Sequence, residues 1–170
     1  MLQGIRIADM TTVIFGPYAT QVLADLGADV VKIEPAAGGD SIRLVGTPPH
    51  TPGMSPLHLR LNRGKRSVAW DLKSEAGRTA MQRLIASSDV FIHNVRSDAI
   101  ERLGYGYAAV RAIRPDIIYL HCTGFDQRGP HADLQAYDDI IQAATGIASL
   151  LPHVDGNPQP RFLPMTLADI

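Results

Sequence analysis

A chain of 170 residues, 45% hydrophobic and 19% charged, has enough apolar content to bury one ordinary core and lies far from compositions that stay disordered. Its 16 Lys and Arg against 17 Asp and Glu leave a formal charge of −1, which argues against a dedicated nucleic-acid binder or a polybasic membrane module. Cys122 stands alone and can form no internal disulfide, the apolar runs fall short of the roughly 20 residues of a membrane span, and a start carrying Asp9, Asp25 and Asp29 does not read as a signal peptide. A soluble, cytoplasmic protein with no nucleic-acid or membrane partner is expected.

Residues 5–10 alternate like a short strand and residues 29–34 form a second β-rich run. Between them residues 17–26 suit a helix, with Pro17 in its first turn and Gly27 as its C-terminal cap. Residues 35–62 fill with Gly and Pro and show no sustained period, which predicts a long surface excursion suited to a lid or substrate wall. Residues 67–72 predict a third strand and residues 74–86 an amphipathic helix with Ala76, Ala80, Met81, Leu84 and Ile85 on its apolar side. Residues 89–93 read as a strand, 98–103 as a helix closed by Gly104, 108–113 as another stopped by Pro115, and 117–122 as a last strand. That order specifies an α/β fold, a Rossmann-like open and mainly parallel sheet with flanking helices. Beyond a polar turn at 126–130, residues 137–149 predict a helix and 152–164 a Pro-rich connector. The apolar run then begins again at Leu167-Ala168-Asp169-Ile170, so the chain is expected to be part of something longer.

In such a sheet, ligands bind beyond the carboxyl ends of the strands. The residues there, 11–16, 71–73, 94–96 and 123–125, mix polar, basic and glycine side chains, as the wall of an anionic-ligand site would; ordinary helix caps look the same. Arg60, Arg63, Lys65 and Arg66 place four cations within seven residues, either a phosphate contact or a solvated loop. Gly104-Tyr105-Gly106-Tyr107-Ala108-Ala109 imitates a dinucleotide fingerprint, but it follows a helix and not a strand, so Gly104 reads as a cap. Six scattered histidines form no metal-ligand pair, and Cys122 reads as a small core residue. Asp169, among apolar neighbours, is either an N-cap or a carboxylate held against backbone amides in a pocket.

Several blocks then fall together. Residues 2–9 with Gly16-Pro17, residues 23–34, 62–67 with Asp71-Leu72-Lys73, Asp89-Val90, Asn94, Glu101-Arg102-Leu103-Gly104, Tyr137-Asp138 with Gly146, and Leu167-Ala168-Asp169 resemble, in order and over the whole chain, the N-terminal portion of family III CoA-transferases. The family includes formyl-CoA and carnitine CoA-transferases and shares its fold with α-methylacyl-CoA racemase. The resemblance implies that residues 1–170 form an incomplete, CoA-binding large domain, while a small domain, a glycine-rich loop and a return segment lie elsewhere. It also implies an interlocked homodimer, acyl-CoA and carboxylic acid substrates, and no permanently bound cofactor or metal beyond coenzyme A thioester as substrate. Asp169 takes the place of the catalytic aspartate, whose carboxylate attacks the thioester to form an aspartyl anhydride. The family's CoA contacts fall on Ile14, Phe15, Trp70, Asp71, Leu72, Lys73, Asn94, Val95, Arg96, Arg102, Gln135, Tyr137 and Asp138. Lys73, Arg96 and Arg102 take the phosphates or adenosine in this reading. The racemases pair their aspartate with a histidine where this chain has Tyr137; a phenol with an ordinary pKa near 10 is a poor base for α-proton removal, which favours the transferases. Pro35 and Val95 depart from the basic and aromatic residues found in some members.

Overall fold

Residues 6–10 bury Ile7, Ala8 and Asp9 in succession, the signature of a strand covered on both faces. This strand, β1 (Arg6–Met10), is the middle of a parallel sheet that also contains β2 (Asp29–Pro35), β3 (Arg66–Trp70), β4 (Val90–His93) and β5 (Ile118–His121), in the order β3-β2-β1-β4-β5. The computed structural model describes residues 1–46 and 50–169. They form two compact units, Met1–Cys122 and Thr123–Ile170.

In the first unit, successive β1 residues feed opposite layers. Ile7 joins Ala28, Val30 and Ile92, with Leu23 and Ala24 packed on from α1 (Phe15–Asp25). Ala8 joins Ile33, Phe91 and the buried Met81 and Ile85 of α3 (Glu75–Ala86), with Ile100 of α4 (Ser97–Leu103) and Val110 of α5 (Tyr107–Ile113). At roughly 25 cal/mol per Å² of apolar surface, these two layers are the main stabilising term of the unit. Gly27 follows the α1 cap at φ +100°, and Gly104 ends α4 at φ +82°; both are left-handed positions that a side chain would strain. Ser74 caps α3, its hydroxyl accepting from the Gly77 amide.

The five strands and the helices expected around them appear in this unit in the expected order, but the stretch between β2 and β3 and parts of the second unit differ. The stretch at 35–62 is not one long irregular excursion. A short 3-10 turn, Ser41–Leu44, follows Asp40, and α2 (Pro56–Asn62) starts from Ser55, whose hydroxyl accepts from the His58 amide with Pro56 in the first turn. Thr47, Pro48 and Pro49 lie outside the described residues. In the second unit the helix expected over 137–149 stops early: α6 (Asp138–Ala144) ends where Gly146 takes φ +80°, and a 3-10 turn, Ile147–Ser149, leads to α7 (Leu150–Asp155). Pro152 therefore sits in the first turn of a helix and does not open a connector, because that turn makes no demand on its missing amide hydrogen. The element expected to start at Leu167 shows no helix up to Asp169, and its continuation at Ile170 lies outside the described residues.

Among the described residues no helix is long and apolar enough to cross a membrane, and no three His, Cys, Asp or Glu side chains gather as a metal cluster.

Candidate functional site

Because all five strands run parallel, the ends of β1, β3 and β4 open on one edge of the sheet, and β1 and β4 flank its switch point. The loop after β1 is held there residue by residue. Thr11 donates its amide and hydroxyl to Asp9 (3.0 and 2.5 Å), and its carbonyl accepts from Lys32 Nζ at 2.7 Å. Thr12 is clamped by Asn94, whose Oδ1 accepts from the Thr12 amide at 3.0 Å while Nδ2 donates to its carbonyl at 2.9 Å. The Val13 amide donates to Asp40 Oδ1 at 3.1 Å. Val13 adopts φ +71°, the one non-glycine residue with positive φ among those described. For a β-branched side chain this costs on the order of 1–3 kcal/mol, and it persists because the neighbours over-determine it. Ile14 and Phe15 follow at once, Ile14 as the α1 N-cap and Phe15 with 43% of its surface exposed.

The anchors are themselves buried charges. Lys32 and Asp40 pair at 2.9 Å, both essentially without solvent access. Lys65 is equally buried and spends its three donors on Asp9 (3.1 Å), the Pro17 carbonyl (2.9 Å) and Asn62 Oδ1 (3.0 Å). Burial brings the Lys65 ammonium down to about 8 even though Asp9 pulls the other way. Glu34 is a buried hub, taking two bonds from Arg43 (2.6 and 2.7 Å), one from the Ser67 hydroxyl and one from the Asp40 amide. Burial alone would raise its carboxyl, but the bonds from Arg43, Ser67 and Asp40 outweigh it and hold Glu34 at about 2.

The basic cluster of the sequence is thus mostly consumed by the fold: Lys65 binds Asp9, Arg63 binds Asp25, and Arg66 binds Asp29. Of these four, Arg60 alone is exposed without an ion pair among the described residues. Lys65 alone of the four is buried; Arg63 and Arg66 hold exposed pairs.

The remaining sequence-chosen positions of the first unit, Arg102 excepted, fall along the same edge. Trp70 ends β3 and, with Leu72 and Val95, packs against the core. Asp71 is exposed, its Oδ1 accepting from the Lys73 amide at 2.9 Å; its carbonyl accepts from the Ser74 amide and hydroxyl. Lys73 and Arg96 extend cationic heads into solvent, Arg96 as the α4 N-cap. Arg102 stands at the far end of α4, roughly 9 Å further on, and pairs with Asp98 at 2.6 Å, an exposed i,i+4 pair that costs little to break. Next to Asn94, His93 is fully buried and stacks on His121 at 4.3 Å between ring centroids. Its Nε2 lies 2.7 Å from Tyr119 Oη, and the Tyr119 hydroxyl in turn reaches the Tyr105 carbonyl at 3.1 Å. Burial, and then His121, lower the His93 imidazole to about 4. Burial also pushes the Cys122 thiol up to about 11, as befits an inert core residue.

In the second unit Gln135 and Tyr137 are exposed, Tyr137 as the α6 N-cap. Asp138 turns onto its own unit: Oδ1 accepts from the Ala168 amide, and Oδ2 accepts from Gln142 Nε2 at 2.6 Å. Asp169 follows Ala168 as a half-buried carboxylate, and the N-cap reading turns on residues outside those described. Burial, and then the Asp138 charge, raise its carboxyl above the ordinary range.

The family model described as CoA-transferase family III matches residues 2–170. The chain belongs to CoA-transferase family III. Among relatives of this family III chain, the succinate–glutarate CoA-transferase of Agrobacterium fabrum is 40% identical over 99% of the chain and 43% of its own length. The formyl-CoA:oxalate CoA-transferase of Streptomyces avermitilis is 42% identical over 92% of the chain and 38% of its own length. A CaiB/BaiF family protein from Brucella suis superposes with a TM-score of 0.89 at 36% identity, covering 99% of the chain and 44% of that structure. The family III chain therefore spans less than half the length of these relatives.

Reading the sequence alone missed Lys32, Glu34, Asp40 and Gln142, and took Lys65 for a phosphate contact or a loop cation. One signal was available: Lys32 and Glu34 alternate with Val31 and Ile33 inside a run that must be buried on both faces, and a buried charge requires a partner.

Proposed function

We propose that residues 1–170 are the CoA-holding, N-terminal portion of the large domain of a longer enzyme, an interlocked homodimer, that moves CoA from an acyl-CoA thioester to a carboxylic acid. The observation that carries this reading is the family match along residues 2–170, with relatives named as CoA-transferases between acids. The β1–α1 loop, Asp71–Lys73 and the Asn94–Arg96 turn are the CoA-facing surface, with Lys73, Arg96 and Arg102 available to phosphate.

Asp169 is the nucleophile. Its carboxylate oxygen attacks the thioester carbonyl, the carbon–sulfur bond breaks, and CoA leaves as the thiolate with an aspartyl anhydride behind. The thiolate attacks the aspartyl carbonyl, which releases the first acid and forms an aspartyl-CoA thioester. The acceptor carboxylate attacks that thioester, giving a second anhydride and free thiolate. Attack of the thiolate on the acceptor's carbonyl yields the new acyl-CoA and restores Asp169. Burial beside Asp138 favours this role, since a carboxylate of raised basicity is the stronger nucleophile.

The test is transfer by the full-length enzyme from succinyl- or formyl-CoA to glutarate or oxalate, for wild type and Asp169→Asn. Wild type should transfer and give a hydroxylamine-sensitive adduct at Asp169; the variant should do neither. Turnover by Asp169→Asn at the wild-type rate, or α-deuterium wash-in to a 2-methylacyl-CoA without transfer, would overturn the proposal.

A further inference from the structure

Gln142 is 98% removed from solvent, yet it is a polar side chain in the middle of a short helix. Such a side chain must find partners for two donors and a carbonyl, and this one does. Its Nε2 donates to Asp138 Oδ2 at 2.6 Å and to the Met165 carbonyl at 3.1 Å, and its Oε1 accepts from the Leu163 amide at 2.8 Å. The opposite amide orientation would face nitrogen to the Leu163 N–H and oxygen to a carboxylate, so only one assignment satisfies the network. Gln142 thereby pairs with residues 163 and 165 as a strand's backbone would. The same segment is tightened by the Met165 amide donating to the Leu163 carbonyl at 2.8 Å. One turn earlier on the same helix face, Asp138 receives the Ala168 amide. Three backbone groups in the six residues before Asp169 are thus tied to two side chains of α6, within the second unit.

We propose that Gln142 is a positioning residue for the transfer reaction: by gripping Leu163 and Met165 and orienting Asp138 toward Ala168, it sets where the Asp169 carboxylate stands. This inference rests on Asp169 being the nucleophile. Gln142 touches neither CoA nor acid in it, and acts through the backbone that carries Asp169. A nucleophile displaced by about 1 Å loses on the order of 10²-fold in rate, while binding of the remote CoA moiety is unaffected.

The experiment compares Gln142→Met, which keeps the length and removes every hydrogen bond, with Gln142→Glu, which keeps an acceptor, removes both donors and adds a charge beside Asp138. Both are made in the full-length enzyme. Transfer kinetics are read together with hydrogen exchange of the Leu163 and Ala168 amides. Expected are a fall in kcat of about 10²-fold, a KM for acyl-CoA within about twofold of wild type, and faster exchange at those amides with the β1 and β4 amides unchanged. Unaltered exchange would overturn the clamp, and faster exchange with wild-type kcat, or a loss carried by KM alone, would reduce Gln142 to a structural residue. Absence of transfer and of an Asp169 adduct in the wild type would instead remove the functional reading, and exchange would still decide whether Gln142 holds the segment.

Discussion

The Asn94 side-chain amide pairs with the Thr12 backbone in both directions, accepting its N–H at 3.0 Å and donating to its C=O at 2.9 Å. It continues by side chain, past the end of β4, the pairing that β1 and β4 make through their backbones. Asn94→Asp removes the donor and sets a carboxylate against the Thr12 carbonyl. A loss of about 1–3 kcal/mol in urea unfolding is expected, along with weaker CoA binding by titration calorimetry in the full-length enzyme. CoA affinity equal to wild type would separate the β1–α1 loop from the CoA surface.

Gly77→Ala should perturb the turn after β3. A Cβ at Gly77 would stand 2.0 Å from the Asp71 carbonyl oxygen, a backbone atom fixed by the Ser74 amide and hydroxyl. Thermal unfolding should show a loss of roughly 1–3 kcal/mol. Gly106→Ala meets first the carboxylate end of Glu101, which can swing away, and should cost much less. Equal melting temperatures for the two variants would contradict this contrast.

Lys65→Met leaves Asp9 buried without its cation, a defect of about 3–5 kcal/mol. Adding Asp9→Asn should recover part of that loss, because both charges are then gone. A double-mutant cycle in chemical denaturation reads the coupling, and additivity of the two losses would show that the pair does not interact.

Acid should destabilise the first unit in two steps. A buried histidine held at about 4 binds fewer protons folded than unfolded between its ordinary value near 6.5 and 4. Its stabilisation is therefore complete above about pH 6.5 and lost as pH falls toward 4, at most about 3 kcal/mol for such a shift. Glu34, held at about 2, adds a second loss from its ordinary value near 4.5 downward. His93→Phe should make the stability profile between pH 6.5 and 4 shallower, with His58 and His121, both lowered by burial, supplying the slope that remains, and leave the lower step in place. A profile in that range identical to wild type would exclude His93 as its origin.

Outside the stretch 35–62, where α2 went unread, the order of strands and helices in residues 1–122 was legible because each is a local pattern: alternation in β1, a periodic face on α3, a glycine where Gly104 needs left-handed backbone. The strand-end positions came from the rule for parallel sheets, and Asp169 took its proposed role from the family resemblance. The partners were not legible. Lys65 looks like one of four surface cations in sequence, and only the packing of α1 against α2 and the sheet makes it a buried counter-ion of a residue 56 positions away. Val13 carries no sequence mark of its left-handed backbone, which Asp40 and Asn94 impose from distant elements. Gln142 read as one more residue of an amphipathic helix. Its role exists because the chain returns after α7 and lays Leu163 and Met165 against it, and hydrogen-bond demand at such a meeting is set by burial in three dimensions, which composition and spacing do not encode.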